Sequence, residues 1–293
     1  MTSARSATAA YFGNSAPVRL ARLGLGISQQ LWPGLAVRAA QRLFGTPLPP
    51  RWLRRRRPWP TGWQVERWPF EHAALTLYRG PAVAGAPVAL LVHGWGGHAG
   101  QLLPLAQALA QQGLQAVLME MPAHGRSAGA VSNLPQFARA VEYTVARLSS
   151  EGRCLHAALA HSLGANALAH ASSRGLAVPR LVLLAPPASP QAYTRMFART
   201  FGLSESTRAA MQGRIEAQEG ILMAQFEPQS VGPRIAVPVL VVHDRGDRTN
   251  RFADGEAFRD AIAGARLLAT EGLGHGRILG DAQVHAEIVR FLG

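Results

Sequence analysis

Between Pro87 and Leu184, short and mainly apolar runs alternate with amphipathic stretches, and this rhythm limits what the chain can fold into. Pro87 to Val92, Leu114 to Met119, Leu155 to Ala160 and Leu181 to Leu184 have almost no polar face. Strands read this way when helices cover both faces of a parallel sheet. Between them, Leu102 to Gln112 (stopped by Gly113) and Leu134 to Leu148 carry the 3.6-residue period of helices with one apolar side. The expected architecture is an α/β fold with a doubly wound, mostly parallel sheet and right-handed crossovers. Before this region, Trp63 to Trp68 and Ala73 to Tyr78 alternate as a hairpin does.

The rhythm breaks over residues 187–233, which show helical patterns at Gln191 to Phe201, Ser204 to Gly213 and Arg214 to Gln225. Met196, Phe197, Phe201, Met211, Leu222, Met223 and Phe226 supply apolar surface there. A helical insertion ahead of the penultimate strand is placed to act as a lid. The alternation then resumes with strand Val237 to Val242, helix Asp254 to Ala263, strand Arg266 to Ala269 and helix Ala282 to Phe291. The domain is therefore expected to span residues 61–293, with residues 1–60 as a separate N-terminal segment.

That segment is distinct in charge. The net charge is +13 over 293 residues, with no lysine, and residues 1–67 hold 11 of the 30 arginines against a single acid, Glu66. The rest of the chain is nearly balanced. An all-Arg, Ala-rich and Gly-rich composition resembles biased coding, so the charge alone is not read as function. Residues 1–16 are small and polar and are expected to be poorly ordered. Pro17 to Phe44 reads as one or two helices broken near Trp32-Pro33-Gly34. Leu20, Leu23, Leu31, Leu35, Ala39 and Leu43 form an apolar face, with Arg19, Arg22, Arg38 and Arg42 off it. A basic, proline-punctuated linker containing Arg54 to Arg57 follows. A segment of this kind suits weak contact with an anionic membrane surface through residues 17–57, or an organellar transit role. The plainest reading is that it packs on the domain. No nucleic-acid-binding motif accompanies the charge. The one cysteine, Cys154, excludes an intrachain disulfide and is read as a small core residue in the strand before Ser162 rather than as a nucleophile. With no secretory signal and no apolar run near the roughly 20 residues of a membrane span, a cytoplasmic location is expected.

The chemistry concentrates at Ala157 to Leu168, A-A-L-A-H-S-L-G-A-N-A-L. A buried strand, a sharp turn at His161-Ser162 and an alanine-rich helix are the context of a serine nucleophile elbow. The turn needs small neighbours, and Ala160 and Gly164 flank Ser162 at two residues on either side. A serine needs a base and the base needs a carboxylate. Strand ends downstream offer His243-Asp244-Arg245-Gly246-Asp247 and Gly274-His275-Gly276. Asp247 is preferred to Asp244, which abuts its strand, and Asp254 is read as a helix N-cap.

At these residues the sequence resembles the α/β-hydrolase superfamily, in its esterase-like branch, over roughly residues 63–293. His93-Gly94-Trp95-Gly96-Gly97 matches the family's H-G-x-x-G turn. Glu120 to Ser127 matches D-x-x-G-H-G-x-S, with Glu120 for Asp and Ala123 for the first Gly. Ala160 to Gly164 matches the G-H-S-x-G elbow, Asp244 to Asp247 the G-x-x-D turn, and Gly274-His275 the last G-H. The resemblance implies Ser162 as nucleophile, His275 as base and Asp247 as its orienter. It implies an oxyanion hole from the backbone N–H groups of Trp95 and Leu163, and substrate contacts from Trp95 and His161, with packing as the alternative for His161. His93 and His124 are read as loop supports and His243 as no rival to His275. His98, His156, His170 and His285 have no ligand spacing, so neither a metal nor a cofactor is expected. The implied activity is hydrolysis of carboxylic esters, or thioesters, of small to medium hydrophobic type. The alternatives are a non-catalytic ligand-binding protein of this fold and a lipase-like hydrolase at a membrane surface.

Overall fold

In the central strand β3 (Val88–Val92), Val88, Leu90 and Val92 pack into one apolar core while Ala89 and Leu91 pack into another, and no residue of the strand reaches solvent. The two-residue period of a strand makes this division, and it requires cover on both sides. The computed structural model describes residues 16–47 and 58–293, so the expectations for residues 1–15 and for the arginine-rich linker lie outside the described residues.

The elements follow one another as helices α1 (Ala16–Leu31) and α2 (Pro33–Phe44), then the hairpin β1 (Gln64–Phe70) and β2 (Ala73–Arg79). After β3 come α3 (Leu103–Ala110), β4 (Gln115–Glu120), α4 (Leu134–Ser150), β5 (Leu155–His161), α5 (Leu163–Ser173) and β6 (Leu181–Leu184). The insertion holds α6 (Pro190–Phe201), α7 (Glu205–Glu219) and α8 (Pro228–Val231). The chain closes with β7 (Val239–Asp244), α9 (Phe252–Ala261), β8 (Arg266–Thr270), α10 (Gly274–Arg277) and α11 (Ala282–Leu292).

The strands form one eight-stranded sheet in the order β1-β2-β4-β3-β5-β6-β7-β8. Only the β1–β2 and β2–β4 pairs are antiparallel. From β3 the chain moves to β4 on one side and to β5 on the other, so the sheet is doubly wound about β3. Phe137, Val141 and Leu148 of α4 and Leu168 of α5 fill the core on one face. Leu105 and Leu109 of α3 and Val284, Ile288 and Leu292 of α11 fill the other.

A third cluster lies away from the sheet. Leu25 and Ala40 of the N-terminal helices pack on Phe197, Phe201, Met211 and Ile215 of the insertion. Two glutamines pin this contact. Gln29 Nε2 donates to Gly202 O at 3.0 Å and Gln29 Oε1 accepts from Ser204 N–H at 2.9 Å, while Arg214 Nε donates to Gln41 Oε1 at 2.8 Å. The break between α1 and α2 falls where Pro33, as the first residue of α2, removes the N–H that would continue α1.

Several local expectations are corrected. The two helices read at 204–213 and 214–225 are a single α7, because Met211 and Ile215 on either side of Gly213 are both buried and packing outweighs glycine's cost of roughly 1 kcal/mol. Cys154 is exposed at the turn before β5 instead of buried. Asp254 sits inside the first turn of α9, whose N-cap is Arg251. On α1 and α2 the fully buried apolar residues are Leu25, Ala36 and Ala40, and of the expected face only Leu43 packs beside them; Leu20, Leu23, Leu31, Leu35 and Ala39 face outward.

Candidate active site

β5 ends at His161 and α5 begins at Leu163, leaving Ser162 alone in the turn with φ 54° and ψ −127°. This backbone conformation is strained for a residue with a Cβ, at a cost of about 1–3 kcal/mol. Three contacts hold it. Ser162 N–H donates to Leu184 O at 2.8 Å. A Cβ on Gly164 would lie 2.4 Å from His93 O, and one on Gly94 would lie 2.7 Å from Ser162 Cβ, so both glycines permit an approach no other residue allows. Ala160, where the family pattern has Gly, fits with its methyl in the core beneath.

His275 opens the short helix α10 after β8, and Asp247 lies in the turn after β7. His275 Nε2 is 3.1 Å from Ser162 Oγ, and His275 Nδ1 is 2.7 Å from Asp247 Oδ2. The carboxylate accepts at Nδ1, which places the imidazole hydrogen there and leaves Nε2 to accept from the serine hydroxyl. Asp247 Oδ1 accepts from Thr249 N–H at 2.7 Å and from Asn250 N–H at 3.0 Å. Burial pushes the Asp247 carboxyl up. Hydrogen bonds from His243 and His275, the His275 charge and the Thr249 N–H outweigh it and hold the group well below the usual carboxylate range. Asp244 serves the scaffold instead. Its Oδ1 accepts from Gly246 N–H, and its Oδ2 accepts from Thr270 Oγ1 at 2.8 Å and Leu273 N–H at 2.9 Å. It ties the ends of β7 and β8 together and never meets the imidazole of His275.

The other histidines divide as follows. His161 is buried against His275, with ring centroids 4.6 Å apart, and its Nε2–H donates to His275 O at 3.0 Å. Burial, and then the His275 charge, push its pKa down to about 3. It packs and positions the His275 backbone and does not border the apolar cavity described below. His93 Nδ1–H donates to Gly94 O at 2.7 Å while its Nε2 accepts from Met121 N–H at 3.1 Å. His124 Nε2 accepts from Gly96 N–H at 2.9 Å and its Nδ1–H donates to Pro122 O. Together they fix the loop that carries Trp95. His243 faces Asp247 from behind, at 3.6 Å, and bonds Asn250 O. The two departures from the family pattern at 120–127 are absorbed locally. The Glu120 carboxyl occupies the space a Cβ on Gly125 would need, and Ala123 takes the positive φ of 64° that glycine usually supplies.

The backbone N–H groups of Trp95 and Leu163 find no acceptor among the described residues. Both residues border an apolar cavity whose other walls include Phe44 of α2, Leu134, Tyr193, Ile215, Met223 and Phe226. Two residues at this site carried no sequence signal. Asn250 is buried; its Nδ2 donates to Ala185 O at 2.6 Å and lies 3.5 Å from Ser162 Oγ, and its Oδ1 accepts from the Tyr193 hydroxyl. An asparagine after a strand reads as a turn residue, and Phe44 lies far from the elbow in sequence.

The sheet order, the strained elbow after β5 and the placing of Ser162, Asp247 and His275 outside the carboxyl ends of the strands define an α/β-hydrolase fold. No curated protein matches the sequence. Residues 86–224 match the family profile described as Serine aminopeptidase, S33. An esterase of Pyrococcus furiosus superposes with a TM-score of 0.63 at 15% identity, over 82% of this chain and 96% of that one. A membrane phospholipase A described as a bacterial virulence factor gives 0.59 at 16%, over 92% and 96%. A hydrolase of Pseudomonas aeruginosa gives 0.61 at 20%, over 78% and 98%. The chain has the α/β-hydrolase fold, and its residues 86–224 are similar to that family profile.

Proposed function

We propose that this protein is a serine hydrolase that cleaves carboxylic esters of small to medium hydrophobic acids through an acyl-enzyme. The observation that carries the reading is the continuous path from Asp247 through His275 to Ser162, at a strained elbow whose next residue borders an apolar cavity. Ser162 Oγ attacks the acyl carbonyl as its proton passes to His275 Nε2. The negative charge that forms on the carbonyl oxygen meets the free N–H groups of Trp95 and Leu163. His275 then gives the proton to the departing alkoxide, leaving the acyl group on Ser162. A water molecule repeats the sequence and releases the acid. Asp247, ionised over the working pH range, holds the imidazole tautomer and stabilises the imidazolium.

The cavity supports an apolar acyl group. Its lining is mainly aromatic and aliphatic, and Oε1 of the one carboxylate among its described walls, Glu216, accepts from Met223 N–H at 2.9 Å and from Gln212 Nε2 at 3.0 Å. Labelling with a fluorophosphonate tests the reading without assuming a substrate. Modification should fall on Ser162 and vanish in His275→Ala. Folded protein that resists labelling would favour a ligand-binding role.

A further inference from the structure

Six large apolar side chains of the N-terminal helices stand in solvent: Leu20, Leu23, Ile27, Leu31, Trp32 and Leu35, each at least half exposed. Only four other large apolar side chains are comparably exposed among the described residues, and they are scattered along the chain. Leu20, Leu23, Ile27 and Leu31 recur at helical spacing and span an arc of about 80° on α1. This row is not what holds the helices to the protein; Leu25 and Ala40 do that from other faces. The exposed side of α2 carries Leu35, Arg38, Ala39 and Arg42, spaced one and two turns apart.

We propose that the α1–α2 hairpin is a docking surface for an anionic lipid membrane, with the leucine row entering the apolar boundary and the arginines meeting headgroups. Charge selects this occupant. Residues 16–47 hold Arg19, Arg22, Arg38 and Arg42 and no acid, all four arginines are exposed, and none has an acidic partner among the described residues. Pairing with a second copy through the same face would set arginine against arginine. An apolar row edged by cations fits a surface that is apolar inside and anionic outside. No described helix is long and apolar enough to cross a membrane, so the contact lies in the interface plane. The hairpin is also part of the cavity, because Phe44 at the end of α2 forms one of its walls. Docking would therefore bring the cavity to the lipid. The proposal does not depend on the hydrolase reading, since its test needs no turnover.

Full-length protein is sedimented with vesicles of phosphatidylcholine alone or mixed with phosphatidylglycerol. One variant combines Leu20→Ser, Leu23→Ser, Ile27→Ser and Leu31→Ser; another combines Arg19→Gln, Arg38→Gln and Arg42→Gln. All these side chains are exposed, so thermal unfolding should match the wild type. The wild type should sediment with the anionic vesicles and be released by salt, and each variant should bind at least about tenfold less. Wild-type protein that stays in the supernatant overturns the proposal, as does a serine variant that binds as well as the wild type. A dimer that the serine variant abolishes, without any vesicle binding, would assign the face to a second copy and overturn it equally.

Discussion

Replacing His161 with glutamine should make the fold less sensitive to acid by a calculable amount. His161 is 6% exposed, and burial with the nearby His275 charge lowers its pKa from an ordinary 6.5 to about 3. The folded protein thus keeps the ring neutral where the unfolded chain binds a proton. The stability this contributes is complete above the unfolded value near pH 6.5 and is lost as pH falls toward 3. At 1.36 kcal/mol for each unit of pKa, the loss reaches about 2 kcal/mol at about pH 5 and is negligible at about pH 7.5. Glutamine cannot titrate, yet its Nε2 can still donate to His275 O. Urea unfolding of both proteins at the two pH values isolates the effect, because every other titrating group is common to them. The wild type should lose about 2 kcal/mol more than His161→Gln over this interval. Equal losses would refute the claim that this ring is held neutral by burial at the site.

Three further outcomes follow from the geometry. Asp247→Asn should lower kcat on an activated ester by about 10³–10⁴-fold with little change in KM, since an amide no longer fixes the hydrogen on Nδ1 of His275. Gly164→Ala places a methyl 2.4 Å from His93 O and 3.1 Å from Val92 Cγ1, and should cost about 1–3 kcal/mol in thermal unfolding while lowering kcat. Asn250→Leu removes the side chain that donates to the buried Ala185 carbonyl, and should cost about 1–3 kcal/mol in urea unfolding.

The order of buried strands and amphipathic helices was legible because its cause is local. A strand covered on both faces must be apolar throughout, and a helix on a sheet must be apolar on one side. The elbow was legible for a similar reason: a serine with positive φ between strand and helix tolerates only small neighbours, and Ala160 and Gly164 stand in the sequence where that need falls. The strand-end positions of Asp247 and His275 follow from the same alternation. None of this depends on which residues meet across the fold.

What depended on tertiary contact could not be read. Leu20, Leu23, Leu31 and Leu35 look like a packing face at helical spacing, yet the insertion receives Leu25 and Ala40 instead. Periodicity marks an apolar face and is silent about what covers it. Gly213 reads as a helix stop, but burial of Met211 and Ile215 carries α7 through it. Asn250, Tyr193 and Phe44 reach the site from a turn, an inserted helix and the N-terminal hairpin. Their places are set by long-range packing, which leaves no spacing to read along the chain.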